Sequence, residues 1–265
     1  MRVYSASLKG LRPQNEDAHE IILNLDGKDT TKSNINFYAV FDGHGGKEVS
    51  AYLKTNLPKF FMDKRVTYPL SKKYVTQVYD HIQKCLSKES YSRHVGSTGL
   101  VVIHFRCNGD DYLNVINNGD CRAILCRENM AIPLSKDHKP NWPEERNRLK
   151  ALNLTLYFDG YTWRIKDLSV SRSFGDIDSV PGVTHRPDLF RYKLDKGDSF
   201  ITISCDGAIE SMDNNDIINF ILLNSYDSTL KNRINKDINI AKKLAETAIK
   251  RGSQDNISVI VVFFD

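Results

Sequence analysis

Four aspartates in this 265-residue sequence stand where apolar runs meet glycine-bearing turns. Phe37-Tyr-Ala-Val-Phe41 leads into Asp42-Gly43-His44-Gly45-Gly46, and Phe200-Ile-Thr-Ile-Ser-Cys205 leads into Asp206-Gly207. Asn117-Asn118-Gly119-Asp120 follows an apolar run ending at Ile116, and Gly252-Ser-Gln-Asp255-Asn256 precedes another that starts at Ile257. A fifth acidic cluster, Glu16-Asp17, lies near the N-terminus. Glycines beside a carboxylate let the backbone approach a ligand closely. Several carboxylates converging on one end of a β core repel one another unless cations sit between them. All-oxygen donor sets suit hard divalent ions such as Mg²⁺ or Mn²⁺, which retain several waters. Each Asp-Gly taken alone is equally a turn, since both are leading turn residues. Spacing alone leaves both readings open.

The elements that would carry these residues are legible as periodicities. Asn36–Phe41, Leu100–Phe105, Tyr112–Ile116, Phe200–Ser204 and Ile257–Phe264 have strand lengths and compositions, the last as apolar as a strand buried on both faces. Val49, Leu53, Leu57 and Phe60 mark one amphipathic helix, and Val75, Val78, Ile82 and Leu86 a second. Asp213 is the expected N-cap of a third helix through Ile217, Ile218 and Ile221. Ile238, Ala241, Ala245 and Ala248 mark a fourth, ended by Gly252. The polar stretch from Asn224 to Asp237 is expected to be a surface excursion. This order lacks βαβ alternation and predicts an α+β domain, an antiparallel β core covered by paired helices, spanning 1–265 as one unit.

Composition excludes several classes. With 37 Lys+Arg against 33 Asp+Glu, the formal net charge of +4 is too mild and too scattered to argue for nucleic acid. Five dispersed cysteines (Cys85, Cys107, Cys121, Cys126, Cys205) make no metal-binding spacing and suggest reduced thiols. No apolar run approaches the roughly twenty residues of a membrane span. The expectation is a soluble intracellular protein, cytoplasmic and/or nuclear, monomeric, with no membrane or nucleic-acid partner.

Ordered blocks along almost the whole chain resemble the type 2C metal-dependent protein phosphatases. They are Gly10-Leu-Arg-Pro-Gln-Asn-Glu-Asp17, Tyr38-Ala-Val-Phe-Asp-Gly-His-Gly-Gly46, Gly96-Ser-Thr-Gly99 and Asn118-Gly-Asp-Cys-Arg122. Asp137-His-Lys-Pro140, Leu168-Ser-Val-Ser-Arg-Ser-Phe-Gly-Asp176, Ser204-Cys-Asp-Gly207 and Gly252-Ser-Gln-Asp-Asn256 follow. The resemblance implies a central antiparallel β-sandwich flanked by pairs of antiparallel helices, with two Mg²⁺ or Mn²⁺ ions at one end. It further implies hydrolysis of phosphoserine and phosphothreonine in phosphoprotein substrates by a hydroxide bridging the two metals.

Carried over by motif, Asp42 bridges the metals, the Gly43 carbonyl ligates one, and Asp206 and Asp255 complete the other. Glu16 reaches its metal through water, Asp17 organises metal-bound waters, and Asp120 corresponds to a ligand of a third, weaker ion. Arg12 is the expected phosphate binder, its planar guanidinium matching a phosphate. Two cations acidify a water and neutralise phosphoryl charge. His44 is the natural proton donor to the departing alkoxide, with a structural role in the glycine-rich loop as the alternative.

Three departures stand out. Glu210 occupies a position where the family often has Asp, Cys121 replaces a usual serine, and Lys150-Ala-Leu-Asn153 replaces a usual Gly-Gly. The following segment, Leu154–Lys166, aligns with the flap that shapes substrate access, so substrate preference is the least transferable inference.

Overall fold

A computed structural model describes residues 1–25 and 35–264. Two five-stranded antiparallel sheets face each other. One runs β13 (Asp188–Lys193), β7 (Asp110–Asn118), β6 (Gly99–Cys107), β3 (Asn36–Phe41) and β2 (Ala18–Ile22). The other runs β1 (Arg2–Leu8), β15 (Ile257–Phe263), β14 (Asp198–Ser204), β8 (Arg122–Arg127) and β9 (Met130–Pro133). Alternation sets what each face buries. Tyr38, Val40, Val102 and Val115 meet Leu125, Ile201, Ile203 and Ile260 between the sheets. Phe37, Ala39, Val101 and Ile103 point the opposite way, toward α1 (Glu48–Phe61) and α2 (Lys72–Leu86). Phe200, Val259 and Val261 lie against α5 (Asn214–Ser225) and α6 (Ile240–Lys250). The layering is therefore helix, sheet, sheet, helix. Full burial of each such Leu, Ile or Phe contributes roughly 1.5–3 kcal/mol.

The strands read from sequence are present within a residue or two at their ends, as are the four helices. Val49, Leu53 and Leu57 are buried in α1, and Val75, Val78, Ile82 and Leu86 in α2. The Asp213 carboxylate accepts the amide of Asp216 at 2.8 Å and caps α5. The fourth helix differs at its start. Asn239 caps it, accepting the Lys242 amide at 3.0 Å, so Ile238 lies outside α6 and is exposed. Gly252 (φ +102°) follows its last turn. The expected excursion after Asn224 begins slightly late, since α5 continues through Ser225 and Tyr226 is buried.

Strands β1, β2, β8 and β13 escaped the periodicity reading. Arg-Val-Tyr-Ser-Ala-Ser-Leu is half polar, and it becomes a strand by pairing with β15 from Arg2↔Phe263 to Leu8↔Ile257. That register carries functional weight. Leu8 opposes Ile257, Ala18 opposes Phe41, Gly99 opposes Asn118, and Arg122 opposes Ser204. Every acidic turn named above therefore leaves the sandwich at the same edge.

Three smaller elements frame that edge. A three-stranded sheet pairs β12 (Phe174–Gly175), β5 (Gly96–Ser97) and β4 (Gly43–His44). A hairpin of β10 (Leu156–Phe158) and β11 (Trp163–Ile165) forms the flap segment. Helix α3 (Pro143–Ala151) lies just before it, and the short α4 (Asp206–Ile209) begins on an aspartate of the site. No helix among the described residues is long and apolar enough to cross a membrane.

Candidate active site

The N-terminal loop reaches the sandwich edge because Asn256 binds it. Its side-chain amide donates to the carbonyls of Lys9 (2.7 Å) and Gln14 (2.9 Å), and its Oδ1 accepts the Glu16 amide (2.8 Å). Gly10 (φ +59°) crosses so near that a Cβ there would lie 2.0 Å from the Asp255 carbonyl oxygen, which only glycine tolerates. These contacts set Arg12 and Glu16 on the wall of a cavity of about 370 Å³, which Asp42, His44, Asp206 and Asp255 also line. Gly43 and Asp120 face the same space.

Two clusters of ligand atoms share Asp42. Asp42, Asp120 and Asp206 present oxygens within 4.8 Å of one another, and Asp17, Asp42 and the Cys205 thiol do the same. The residue read as the bridge is thus the one common to both groups. Asp255 and Glu16 belong to neither. The Asp255 carboxylate is instead held by Arg12 Nη2 at 2.7 Å.

The charges are unhappy as they stand. Desolvation, then the fields of Asp206, Asp17 and Asp120, push the Asp42 carboxyl well above the ordinary carboxylate range. Desolvation, with Asp120 next in weight, raises Asp206 to about 7 against the relief given by Lys139. Asp17 rises to about 6, again chiefly by desolvation, with Ser258 and Cys205 only easing the shift. Both Asp17 carboxylate oxygens are buried and accept no hydrogen bond of ordinary geometry among the described residues. Crowded carboxylates with orphaned oxygens are a donor set for hard divalent cations. The donors fit the implied ions.

Sequence reasoning gave no role to several residues that complete the site. Lys139, from the Asp137-His-Lys-Pro140 block, donates to Asp120 and stands 3.6 Å from Asp206. Asp176, which ends the Leu168–Asp176 block, lies 2.8 Å from His44 Nε2. Thr98 accepts the Asp42 amide at 3.1 Å and contacts the Cys121 sulfur, also at 3.1 Å. The signal for all three was their place inside quoted motif blocks, but a role needs contacts that only folding makes.

The departures can now be placed. Glu210 is the exposed residue that caps the C-terminal end of α4, and its carboxyl is raised first by desolvation, with Lys139 opposing and Asp255 adding to the shift. Cys205 packs on the strand edge, accepting the Ser258 amide at 3.1 Å. All five cysteines are free. In the flap, Arg164 lines the cavity while held by Asp159 and by the Asp167 carbonyl (2.7 Å). Tyr157, Phe158, Tyr161 and Trp163 of the same hairpin are exposed.

Comparison with known proteins agrees with this arrangement. The family model "Protein phosphatase 2C" matches residues 1–257. A PP2C-like domain-containing protein of Acanthamoeba polyphaga mimivirus is 48% identical over 168 residues, covering 57% of this chain and 94% of the relative. The human integrin-linked kinase-associated serine/threonine phosphatase 2C is 32% identical over 292 aligned positions, covering 99% of this chain and 72% of its own length. Among solved structures, a sex-determining protein of C. elegans superposes with a TM-score of 0.85 at 22% identity, over all of this chain and 65% of that one, a likeness of fold. A family match over nearly the whole chain, joined to the acidic edge, Arg12 and His44, places the chain in the protein phosphatase 2C family.

Proposed function

We propose that this protein phosphatase releases phosphate from phosphoserine and phosphothreonine in protein substrates, with two Mg²⁺ or Mn²⁺ ions held by its acidic edge and 1–265 acting as one catalytic domain. The observation that supports the reading is the convergence of Asp42, Asp120, Asp206 and the orphaned Asp17 beside one guanidinium and one imidazole. Asp42 and the Gly43 carbonyl, with Asp206 and Asp255, would hold the two ions. Glu16 and Asp17 would order their water shell, and Asp120 with Asp206 would take a third, weaker ion. Bound there, divalent cations acidify the attacking water and neutralise phosphoryl charge.

The chain's own groups do the rest. Arg12 swings from Asp255 to the phosphate, where its fork matches two equatorial oxygens. Water gives up one proton to solvent and forms a bond to phosphorus as the bond from phosphorus to the side-chain oxygen breaks. The bonding pair leaves on the serine or threonine oxygen, and the proton His44 then supplies to it is replaced from solvent. His44, on the cavity wall, gives that oxygen a proton. Desolvation lowers the imidazole's affinity for its proton, but the charge and hydrogen bond of Asp176, together with the charges of Asp120 and Glu16, more than offset it and the net shift is upward. Phosphate and the free hydroxyl are the products. The flap hairpin, with Arg164 on the cavity wall and aromatic residues exposed beside it, would receive the polypeptide around the phosphorylated residue. The substrate is thus a phosphoprotein met by a monomer, with no membrane or nucleic acid required.

A phosphothreonine peptide assayed with Mn²⁺, with EDTA and with Asp206→Asn tests the reading. Phosphate release that requires the cation and collapses in Asp206→Asn is expected. Release that survives EDTA or Asp206→Asn would sink the cation-dependent mechanism. No release under any divalent ion would make the chain a binding module that keeps the fold.

A further inference from the structure

The three-stranded sheet of β4, β5 and β12 is too small to be a core. Its registers are Gly43↔Ser97, His44↔Gly96, Phe174↔Ser97 and Gly175↔Gly96. It therefore lays His44 on one side of Gly96 and the Gly175-Asp176 turn on the other. The imidazole Nε2 and Asp176 Oδ2 meet across the glycine at 2.8 Å. A Cβ on Gly96 would stand 2.1 Å from that Oδ2 and 2.4 Å from that Nε2, so the contact exists only because position 96 has no side chain.

Asp176 is itself firmly set. Its side chain is 3% exposed, and Ser173 Oγ donates to the same Oδ2 that faces His44. Its backbone is in the left-handed region (φ +47°, ψ 39°), and its amide donates to the Val95 carbonyl at 3.2 Å. Gly175 before it (φ +76°) is clamped from α2, where Gln83 donates to the Gly175 carbonyl (2.8 Å) and accepts its amide (2.9 Å). A strained turn, a glycine window and a buried amide clamp converge on one carboxylate. A buried carboxylate is costly unless partnered, and the His44 imidazole and the Ser173 hydroxyl are its partners.

We infer that Asp176 is a positioning residue that fixes the orientation and tautomer of the His44 imidazole through Nε2. Nδ1 is then the ring nitrogen left for the departing serine or threonine oxygen. A carboxylate behind an imidazole holds one ring orientation and stabilises it. The inference rests on the acid role proposed for His44, and the test separates the two.

The readout is dependence on the leaving group. A serine or threonine alkoxide needs a proton as it departs, whereas p-nitrophenolate leaves without one. Asp176→Asn, which keeps size and polarity, is expected to lower kcat on a phosphothreonine peptide about tenfold to a hundredfold more than on p-nitrophenyl phosphate. His44→Gln is expected to show the same bias, and the double variant to be no worse than His44→Gln alone, as for groups acting in series. Ser173→Ala, which removes only the hydroxyl behind Asp176, gives the same bias at smaller amplitude should Asp176→Asn fold poorly. Equal loss of Asp176→Asn on both substrates, or losses that add fully in the double variant, overturns the positioning inference alone. Equal loss of His44→Gln on both substrates overturns the acid reading and the inference with it. Mn²⁺ affinity by calorimetry, expected to be unchanged in Asp176→Asn, checks that the cation site is intact; a loss of affinity that accounts for the whole activity change also overturns the inference.

Discussion

Arg12 Nη2 donates to Asp255 Oδ2 at 2.7 Å, so the arginine expected to bind phosphate and an aspartate expected to bind metal hold each other. The pair must open for either group to work. The pair is exposed on the arginine side and is itself worth about 1 kcal/mol or less, whereas a charge-assisted hydrogen bond from the guanidinium to a bound phosphate is worth about 1.5–3 kcal/mol, roughly tenfold to a hundredfold in an equilibrium. Arg12→Ala is therefore expected to lower kcat/KM on a phosphothreonine peptide by about that factor. Calorimetry should show Mn²⁺ binding unchanged or tighter, because Asp255 is freed. Weaker Mn²⁺ binding in Arg12→Ala would mean that the guanidinium organises the metal site rather than competing for Asp255.

Lys139 is a cation already present among the carboxylates, donating to Asp120 and standing 3.6 Å from Asp206. Asp120 is 1% exposed, and Lys139 is its ion-pair partner. Removing one member of such a pair leaves a buried charge, at a cost of about 3–5 kcal/mol. Lys139→Met is expected to lower the melting temperature of the cation-free protein markedly. Saturating Mn²⁺ should recover most of the loss, as a divalent ion replaces the ammonium. Thermal melts with and without Mn²⁺ check this, and a loss that Mn²⁺ leaves untouched would refute it.

The acidic edge also sets a pH dependence. Asp17 and Asp206 have folded values of about 6 and about 7, above the ordinary 3.8 of an unfolded aspartate. Between these values the folded chain binds more protons than the unfolded one, so this contribution to stability falls as pH rises. It is fully present below about pH 4 and is lost by about pH 7 in cation-free protein. A divalent cation removes the repulsion but competes with those same protons. The rise in melting temperature produced by Mn²⁺ is expected to be small at about pH 5 and to grow to about pH 7.5. An increment independent of pH would contradict the raised carboxyls.

Gly96→Ala isolates geometry from charge. The new methyl would overlap both Asp176 and His44, and overpacking of this kind costs about 1–3 kcal/mol. Turnover of a phosphothreonine peptide is expected to fall more than tenfold, in line with displacement of an acid catalyst, while the protein remains folded by circular dichroism. Unchanged turnover would show that the small sheet does not need to hold His44 where it lies.

Much of the architecture was legible because burial imposes periodicity on a sequence. The apolar runs of β3, β6, β14 and β15 and the faces of α1 and α2 are local patterns, and local patterns survive without a fold. Strand β1 was not legible, because half its residues are polar and only pairing with β15 makes it a strand. Ile238 misled for the converse reason, since an apolar residue next to a helix need not be in it, and Asn239 supplies the cap.

The candidate site divides in the same way. Residue types in ordered blocks were enough to nominate Arg12, Glu16, Asp17, Asp42, Gly43, His44, Asp120, Asp206 and Asp255, because carboxylates beside glycines carry their chemistry in their identity. Which of them present oxygens within reach of one another, and which are held by another side chain, was a matter for tertiary structure alone. Lys139 with Asp120, Arg12 with Asp255, and Asp176 with His44 join residues 19, 243 and 132 positions apart. Nothing local encodes such pairs. Antiparallel register brings them to one edge of the sandwich, and there desolvation makes their charges depend on one another.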